Sequence, residues 1–555
     1  MSNLGLILGY SHFYNDTPPA NRFDLIRNIS KIDLLGELAA SNYRLKPPLK
    51  IFFEYPIQDQ LNEISYNLRL HPEVQRNVYY SYINHLENTS SNALVFNRAG
   101  LLFAMNEIIT CNELNDINGF QFSGYDQENI FKYILLVNEE VTVYNENIFN
   151  ISSYSNIESL NLASLALNEY FIPFDPLFTL HIGGQLFNFL NESEYRESLN
   201  EYLSNSVGIE QNRFIYEITN MYMTNHMQNR DLNFFYRLNE DDSRIAIFDF
   251  FSRRNVADSA SNFEFIDIRK SPFYRYHQRT FLLLDNMFLL SKSYYFFIWD
   301  FLYDVLLDGV TNNDERVAII KNYKGVIGIF FEQYIKEILH NAFENNSYKI
   351  KLFEKLKIRI NHKEKELADI YIKSKNKIII GQAKSTSIIN KEKYAEDLNK
   401  FYGGRPNKFF EKHGLFQLVR SIREIIDYGK LIDNSIPKKR IKIFPIIIFN
   451  DLLLNNFLFP QVFNEKFKDL ISEIDDPCVN IYPLILIHIS DLQVIEYSLN
   501  KKHNKLFKLL KYHLKKGDMR IPFYLTANEH RNSNYPERVM EYFRNIINEN
   551  NPNNN

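Results

Sequence analysis

Two short stretches of this 555-residue chain carry side chains able to hold a divalent cation beside an ammonium group. One runs from Leu367 to Lys384, with Asp369 near its start and Gln382-Ala-Lys384 at its end. The other is Gly328-Ile-Phe-Phe-Glu332, some forty residues upstream. A carboxylate and an amide oxygen are hard ligands of the kind Mg²⁺ takes, and Mg²⁺ keeps waters that leave room for a phosphate. A cation so placed lowers the pKa of water and offsets charge on a phosphoryl group. A neighbouring lysine steadies the oxyanion that develops. This is the chemistry of phosphodiester hydrolysis.

Such chemistry requires elements that converge. The turn residues Ser374-Lys-Asn-Lys separate two apolar runs, so a β-hairpin with arms Ala368–Lys373 and Lys377–Ala383 is expected. Side chains two residues apart share a strand face. Gln382 and Lys384 then point one way, with Asp369 across from them; Ala368, Ile370 and Ile372 take the opposite face, and the Ala383 carbonyl lies within reach. A helix over Tyr323–Phe343 carries Glu332, and a first strand is expected over Lys351–Ile360. Leu415–Tyr428 reads as a helix on which Gln417, Arg420 and Ser421 share a face. Lys442–Phe449 and Ile481–Ile489 are continuous apolar runs, the pattern of strands buried on both faces. A last helix over Leu492–Lys516 completes an α/β domain with a mixed sheet.

Glu332, Asp369 and Gln382-Ala-Lys384 at the end of an apolar strand resemble the PD-(D/E)xK nuclease superfamily, in a Mrr-like Gln-x-Lys variant of its motif. Two positions depart from the usual pattern. Ala368 replaces proline, and Gln382 stands where Asp or Glu is usual, which removes one negative charge from the metal site. The resemblance covers about residues 320–490. It implies a restriction-endonuclease-like core, with Glu332, Asp369, Gln382 and Lys384 as catalytic residues. Asp369, Gln382, Ala383 and Glu332 would then surround Mg²⁺, or Mn²⁺ in its place. Gln417 matches a helix glutamine found in relatives of that superfamily.

Composition bounds the rest. Residues 1–310 hold 22 basic and 38 acidic side chains, and the remainder 41 and 29, so a polyanion would be drawn to the second part. Downstream of the hairpin, Lys391, Lys393, Arg405, Lys408, Gln417, Arg420 and Arg423, interleaved with Tyr394, Tyr402, Phe409 and Phe410, are candidates for gripping a phosphate backbone. Helical spacing dominates the first 310 residues, for example over Asn92–Ile109 and Thr280–Leu307. The expected architecture is a mainly α-helical, acidic domain over 1–310, a basic α/β nuclease-like domain over 311–535, and a polar tail over 536–555, disordered at its end. Cys111 and Cys478 stand alone, which excludes a disulfide scaffold and a structural zinc site and fits a reducing cytoplasm. No signal peptide, membrane span or ATP-binding phosphate loop is expected, and no further cofactor site. The expected function is a Mg²⁺-dependent DNA endonuclease in antiviral or restriction-type defence, its helical half a sensor, a homodimer surface or a dock for a regulatory protein. An RNA-directed nuclease, an inactive nuclease fold that binds nucleic acid, and a protein-interaction module are the alternatives.

Overall fold

The structure, a computed structural model, describes residues 6–45, 57–89, 93–149, 175–227, 234–252, 265–343, 349–353, 356–360, 363–388, 402–405, 407–433, 436, 440–456, 458–474, 476–501 and 505–550. These form two compact units. The first is built from the described residues of Met1–Phe149 and Thr179–Gly309, with Phe543–Asn550. The second contains those of Val310–Tyr542, joined by Asp175–Phe178.

The first unit is mainly helical. Its longest helices run over Pro72–Thr89 and Gly124–Phe149. The expected helix over Asn92–Ile109 begins at Arg98, where the Asn97 side chain accepts the Gly100 N–H at 2.8 Å. The helix expected over Thr280–Leu307 starts late. Thr280–Leu283 is instead the middle strand of a three-stranded antiparallel sheet with Phe235–Arg237 and Phe273–His277. Gly183 sits inside the helix Pro176–Asn191, and a side chain there would collide with the Ser293 carbonyl.

The second unit holds the hairpin. Its first helix, α1, spans Asn313–Phe343. Polar residues surround its start, and Asn312 caps it. Asn312 Oδ1 accepts the Asp314 N–H at 2.9 Å and the Glu315 N–H at 3.2 Å, and both acids sit favourably at the positive end of the helix dipole. The strands β1 (Lys349–Leu352), β2 (Ile370–Ser374) and β3 (Lys377–Lys384) follow as an antiparallel meander. The strand expected over Lys351–Ile360 breaks at Phe353, which takes a left-handed φ of 47° while its N–H bonds the Asp369 carbonyl. Lys357–Ile360 then pairs with Lys363–Glu366 in a separate hairpin.

Helix α2 (Leu415–Ile432) crosses the sheet, and β4 (Ile441–Phe449) enters parallel to β3, with Lys377 opposite Lys442 and Lys384 opposite Phe449. After α3 (Phe459–Ile471) come β5 (Val479–Ile481) and β6 (Ile485–His488), both parallel to β4. The run Ile481–Ile489 is therefore two strands, split around Pro483, whose missing N–H cannot serve a ladder. The result is a six-stranded mixed sheet, ordered β5–β4–β3–β2–β1 with β6 also on β4. Leu415, Leu418, Val419, Ile422 and Ile425 form the buried stripe of α2, and pack with Tyr371, Ile378, Ile380 and Ile447 in one cluster. Each such side chain contributes roughly 1.5–3 kcal/mol on burial.

The expected helix Leu492–Lys516 is two, α4 (Ile489–Lys501) and α5 (Lys505–Lys515). The segment expected as a tail is largely helical: Glu537–Asn550 forms a helix with one apolar face, burying Val539, Phe543 and Ile546 at spacings of four and three. Among the described residues no helix is long and apolar enough to cross a membrane.

Candidate active site

Asp369 lies just before β2, and its backbone and side chain both clamp β3. The Asp369 N–H donates to the Gly381 carbonyl at 3.2 Å, while its Oδ2 accepts the Ala383 N–H at 2.7 Å. The side chain thus continues the hairpin ladder past the last backbone pair, Gly381 with Ile370. Continuing the same register places Asp369 opposite Gln382, as expected from the alternation of faces. The remaining oxygen of Asp369 makes no hydrogen bond among the described residues. Burial raises the proton affinity of the carboxyl above the ordinary range, and the Ala383 N–H and the Lys384 charge act against that rise.

Gln382 is 4 % exposed, beneath α2. Its Nε2 donates to Ser421 Oγ at 3.3 Å, and Ser421 in turn donates to the Gln417 carbonyl at 2.8 Å. Because the serine proton is committed to that carbonyl, Ser421 can only accept from Gln382. The amide is thereby oriented, with Oε1 left for another partner. Ala383 enters the site through its N–H.

Lys384 ends β3 half-buried, its stem lying along Gly414 at the start of α2. Gly414 has a left-handed φ of 82°, and a Cβ there would stand 2.6 Å from Lys384 Cε. Only glycine both adopts that backbone and leaves room for the lysine. Glu332 is half-buried on α1. Gly328, one turn earlier on the same helix face, lies against Ser385, its ideal Cβ position 3.6 Å from the serine Oγ.

Of the proposed backbone-gripping residues, Lys391 and Lys393 lie outside the described residues. Arg405, Lys408, Gln417 and Arg420 are exposed. Arg423 is exposed but engaged, donating to the Leu470 carbonyl at 2.9 Å and to Glu473 at 3.0 Å. Phe409 and Phe410 are not surface aromatics. Both are buried, with Phe410 5.3 Å from the ring of Phe463. His413 is buried against Phe409 with neither ring nitrogen hydrogen-bonded among the described residues, and burial drives its pKa down to about 3. It stays neutral.

Among the described residues no group of three or more His, Cys, Asp or Glu is placed to hold a metal ion. The candidate set is instead two carboxylates and an amide. The donors fit a hard cation in kind: a buried carboxylate with one oxygen uncommitted, and an amide oxygen turned away from its neighbour by Ser421. What sequence reasoning missed is this support: Ser421, expected on one face with Gln417 and Arg420, is buried over Gln382 while those two are exposed, and Gly414 lies beside Lys384. Gly414 follows His413 and precedes an amphipathic helix, the signal that could have marked a tight approach. Comparison with protein-family models, with curated proteins and with solved structures finds no match.

Proposed function

We propose that this chain is a metal-dependent endonuclease that hydrolyses phosphodiester bonds of DNA, with a restriction-endonuclease-like core in its second unit. The observation that carries the reading is Asp369 set across from Gln382 at the end of the β2–β3 hairpin, with Lys384 on the same strand face. The order of elements also supports it: helix, antiparallel three-stranded meander, helix and a parallel fourth strand, as the sequence resemblance implies.

Asp369, Gln382, the Ala383 carbonyl and Glu332 would hold the cation. Mg²⁺ or Mn²⁺, when bound, supplies the positive charge that neutralises phosphate oxygens and acidifies an attacking water. Asp369 and Glu332 bring the negative charge, and the buried Asp369 carboxylate is stabilised by any cation placed beside it. Gln382 adds an oxygen without charge, which favours one tightly held cation over two. Lys384, steered by Gly414, places its ammonium where the pentavalent oxyanion develops. Exposed Arg405, Lys408, Gln417 and Arg420 would grip the backbone in a salt-sensitive, sequence-blind way.

The acidic first unit fits a sensor, a homodimer surface or a regulatory dock better than a DNA-wrapping surface, and two active sites in a dimer would account for double-strand cleavage. A cytoplasmic role in antiviral or restriction-type defence follows by analogy with such an arrangement. The test is cleavage of plasmid DNA, phage DNA and RNA with Mg²⁺ or Mn²⁺ by the full chain beside Asp369→Ala and Lys384→Ala. Loss of cutting in both variants, with unchanged melting, is the expected result. A wild type that cuts no nucleic acid with either metal, or variants that cut equally well, would sink the reading.

A further inference from the structure

The turn end of the hairpin, opposite the end that bears Lys384, gathers five lysines. Lys377 opens β3 directly across from Lys442 on β4, on neighbouring strands about 4.8 Å apart. Lys375 sits in the turn itself, exposed, on a left-handed backbone with φ 57°. Phe507 of α5 anchors the helix here. Its ring lies 5.5 Å from that of Phe444 on β4, and Lys377 Nζ stands 5.8 Å from its centroid. Lys508 and Lys511, one turn apart on α5, are thereby brought beside the strand lysines. Burial, together with the four surrounding charges that all bear on Lys377, lowers its proton affinity.

Among the described residues none of the five forms an ion pair. Nearby lysines do: Lys373 meets Asp433 at 3.1 Å and Lys516 meets Glu529 at 2.7 Å. A group of like charges without carboxylate partners opposes folding, because each repels the others. Such a cluster is stabilised by a ligand of matching charge density. Duplex DNA, with one negative charge per roughly 1.7 Å of axis, is such a ligand.

We infer that Lys375, Lys377, Lys442, Lys508 and Lys511 form a second binding surface for the phosphodiester backbone of nucleic acid, separate from the cleavage site. Lys377 and Lys384 are seven residues apart on one strand, about 23 Å at roughly 3.3 Å per residue. Contacts at this surface therefore govern affinity and leave turnover at saturating substrate unchanged. The inference does not require the hairpin to cut.

The test is fluorescence anisotropy of the full chain in EDTA with a short labelled duplex, and with matching single-stranded DNA and RNA, across a KCl series. The variant carries Lys→Gln at all five positions, with a milder one, Lys375→Gln with Lys508→Gln, confined to exposed residues. Each neutralised phosphate contributes about 0.9 to the slope of log affinity against log salt on duplex DNA. The five-fold variant is expected to lose about 2 or more of that slope and about tenfold or more in affinity at moderate salt. The milder one should fall between, with melting unchanged or raised. Wild-type affinity and slope in a folded variant overturn the inference, including where an acidic protein partner is lost instead, and so does a wild type that binds no probe at low salt. The two proposals separate cleanly. Cutting that depends on Asp369 with binding unchanged in the lysine variants removes this surface and leaves the nuclease. Binding that is lost in the variants, with no cutting by the wild type, does the reverse.

Discussion

Replacing Ser421 by alanine tests how the Gln382 amide is held. Ser421 accepts from Gln382 Nε2 at 3.3 Å because its own proton goes to the Gln417 carbonyl at 2.8 Å. Without the hydroxyl, nothing in that contact distinguishes the two ends of the amide, and the NH₂ group can turn toward the cation. A neutral hydrogen bond of this kind contributes about 1 kcal/mol net, so Ser421→Ala should weaken Mn²⁺ binding by about fivefold. The sharper expectation is in the Gln382→Glu background. A carboxylate has oxygens at both ends and no wrong orientation, so there Ser421→Ala should change Mn²⁺ affinity by less than about twofold. The coupling between the two positions should then be about 1 kcal/mol. Titration of the four proteins with Mn²⁺, followed by electron paramagnetic resonance of the free ion, reads this without any need for turnover. An equal effect of Ser421→Ala in both backgrounds would refute the reasoning, as would no effect in the first.

Three other outcomes are expected. Gly414→Ala meets both a left-handed backbone, at about 1–2 kcal/mol, and Lys384 Cε at 2.6 Å; cleavage should fall far more than melting temperature, and equal proportional losses would argue against a positioning role. Lys373→Met leaves Asp433, fully buried, without the ammonium now 3.1 Å away, and should cost about 3–5 kcal/mol in denaturant unfolding of the second unit; a loss below about 1 kcal/mol would show the pair to be dispensable. Asp491 is buried at the start of α4, where burial pushes its pKa up to about 7. A raised carboxyl favours the native state only while protonated, so this contribution is complete below about pH 4 and lost as pH rises through 7. Asp491→Asn should therefore gain stability over wild type at pH 8, by up to about 4 kcal/mol, and little at pH 4; melts with no such divergence would contradict the burial argument.

Part of this was legible from residue order alone. The apolar run Ile378–Ile380, the turn at Ser374–Lys377 and the apolar run Lys442–Phe449 specify a hairpin and a buried strand, because apolar runs and turn chemistry are local properties. The same locality explains the failures. Thr280–Leu283 carries apolar residues that suit a helix or a strand, and pairing with Phe235–Arg237 and Phe273–His277 decides between them. Phe409 and Phe410 alternate with basic residues like a nucleic-acid surface, yet α3 covers them through Phe463.

By itself the sequence determined the types of donor at the candidate site and their spacing along one hairpin. It also determined the charge difference between the two halves. Tertiary structure decided what lies over and under those donors. Ser421 meets Gln382 and Gly414 meets Lys384 only because α2 packs across β3, and five lysines converge only because Phe507 docks α5 on β4. The contacts between strand and helix are between residues tens to over a hundred positions apart, and no local pattern encodes which of them will touch.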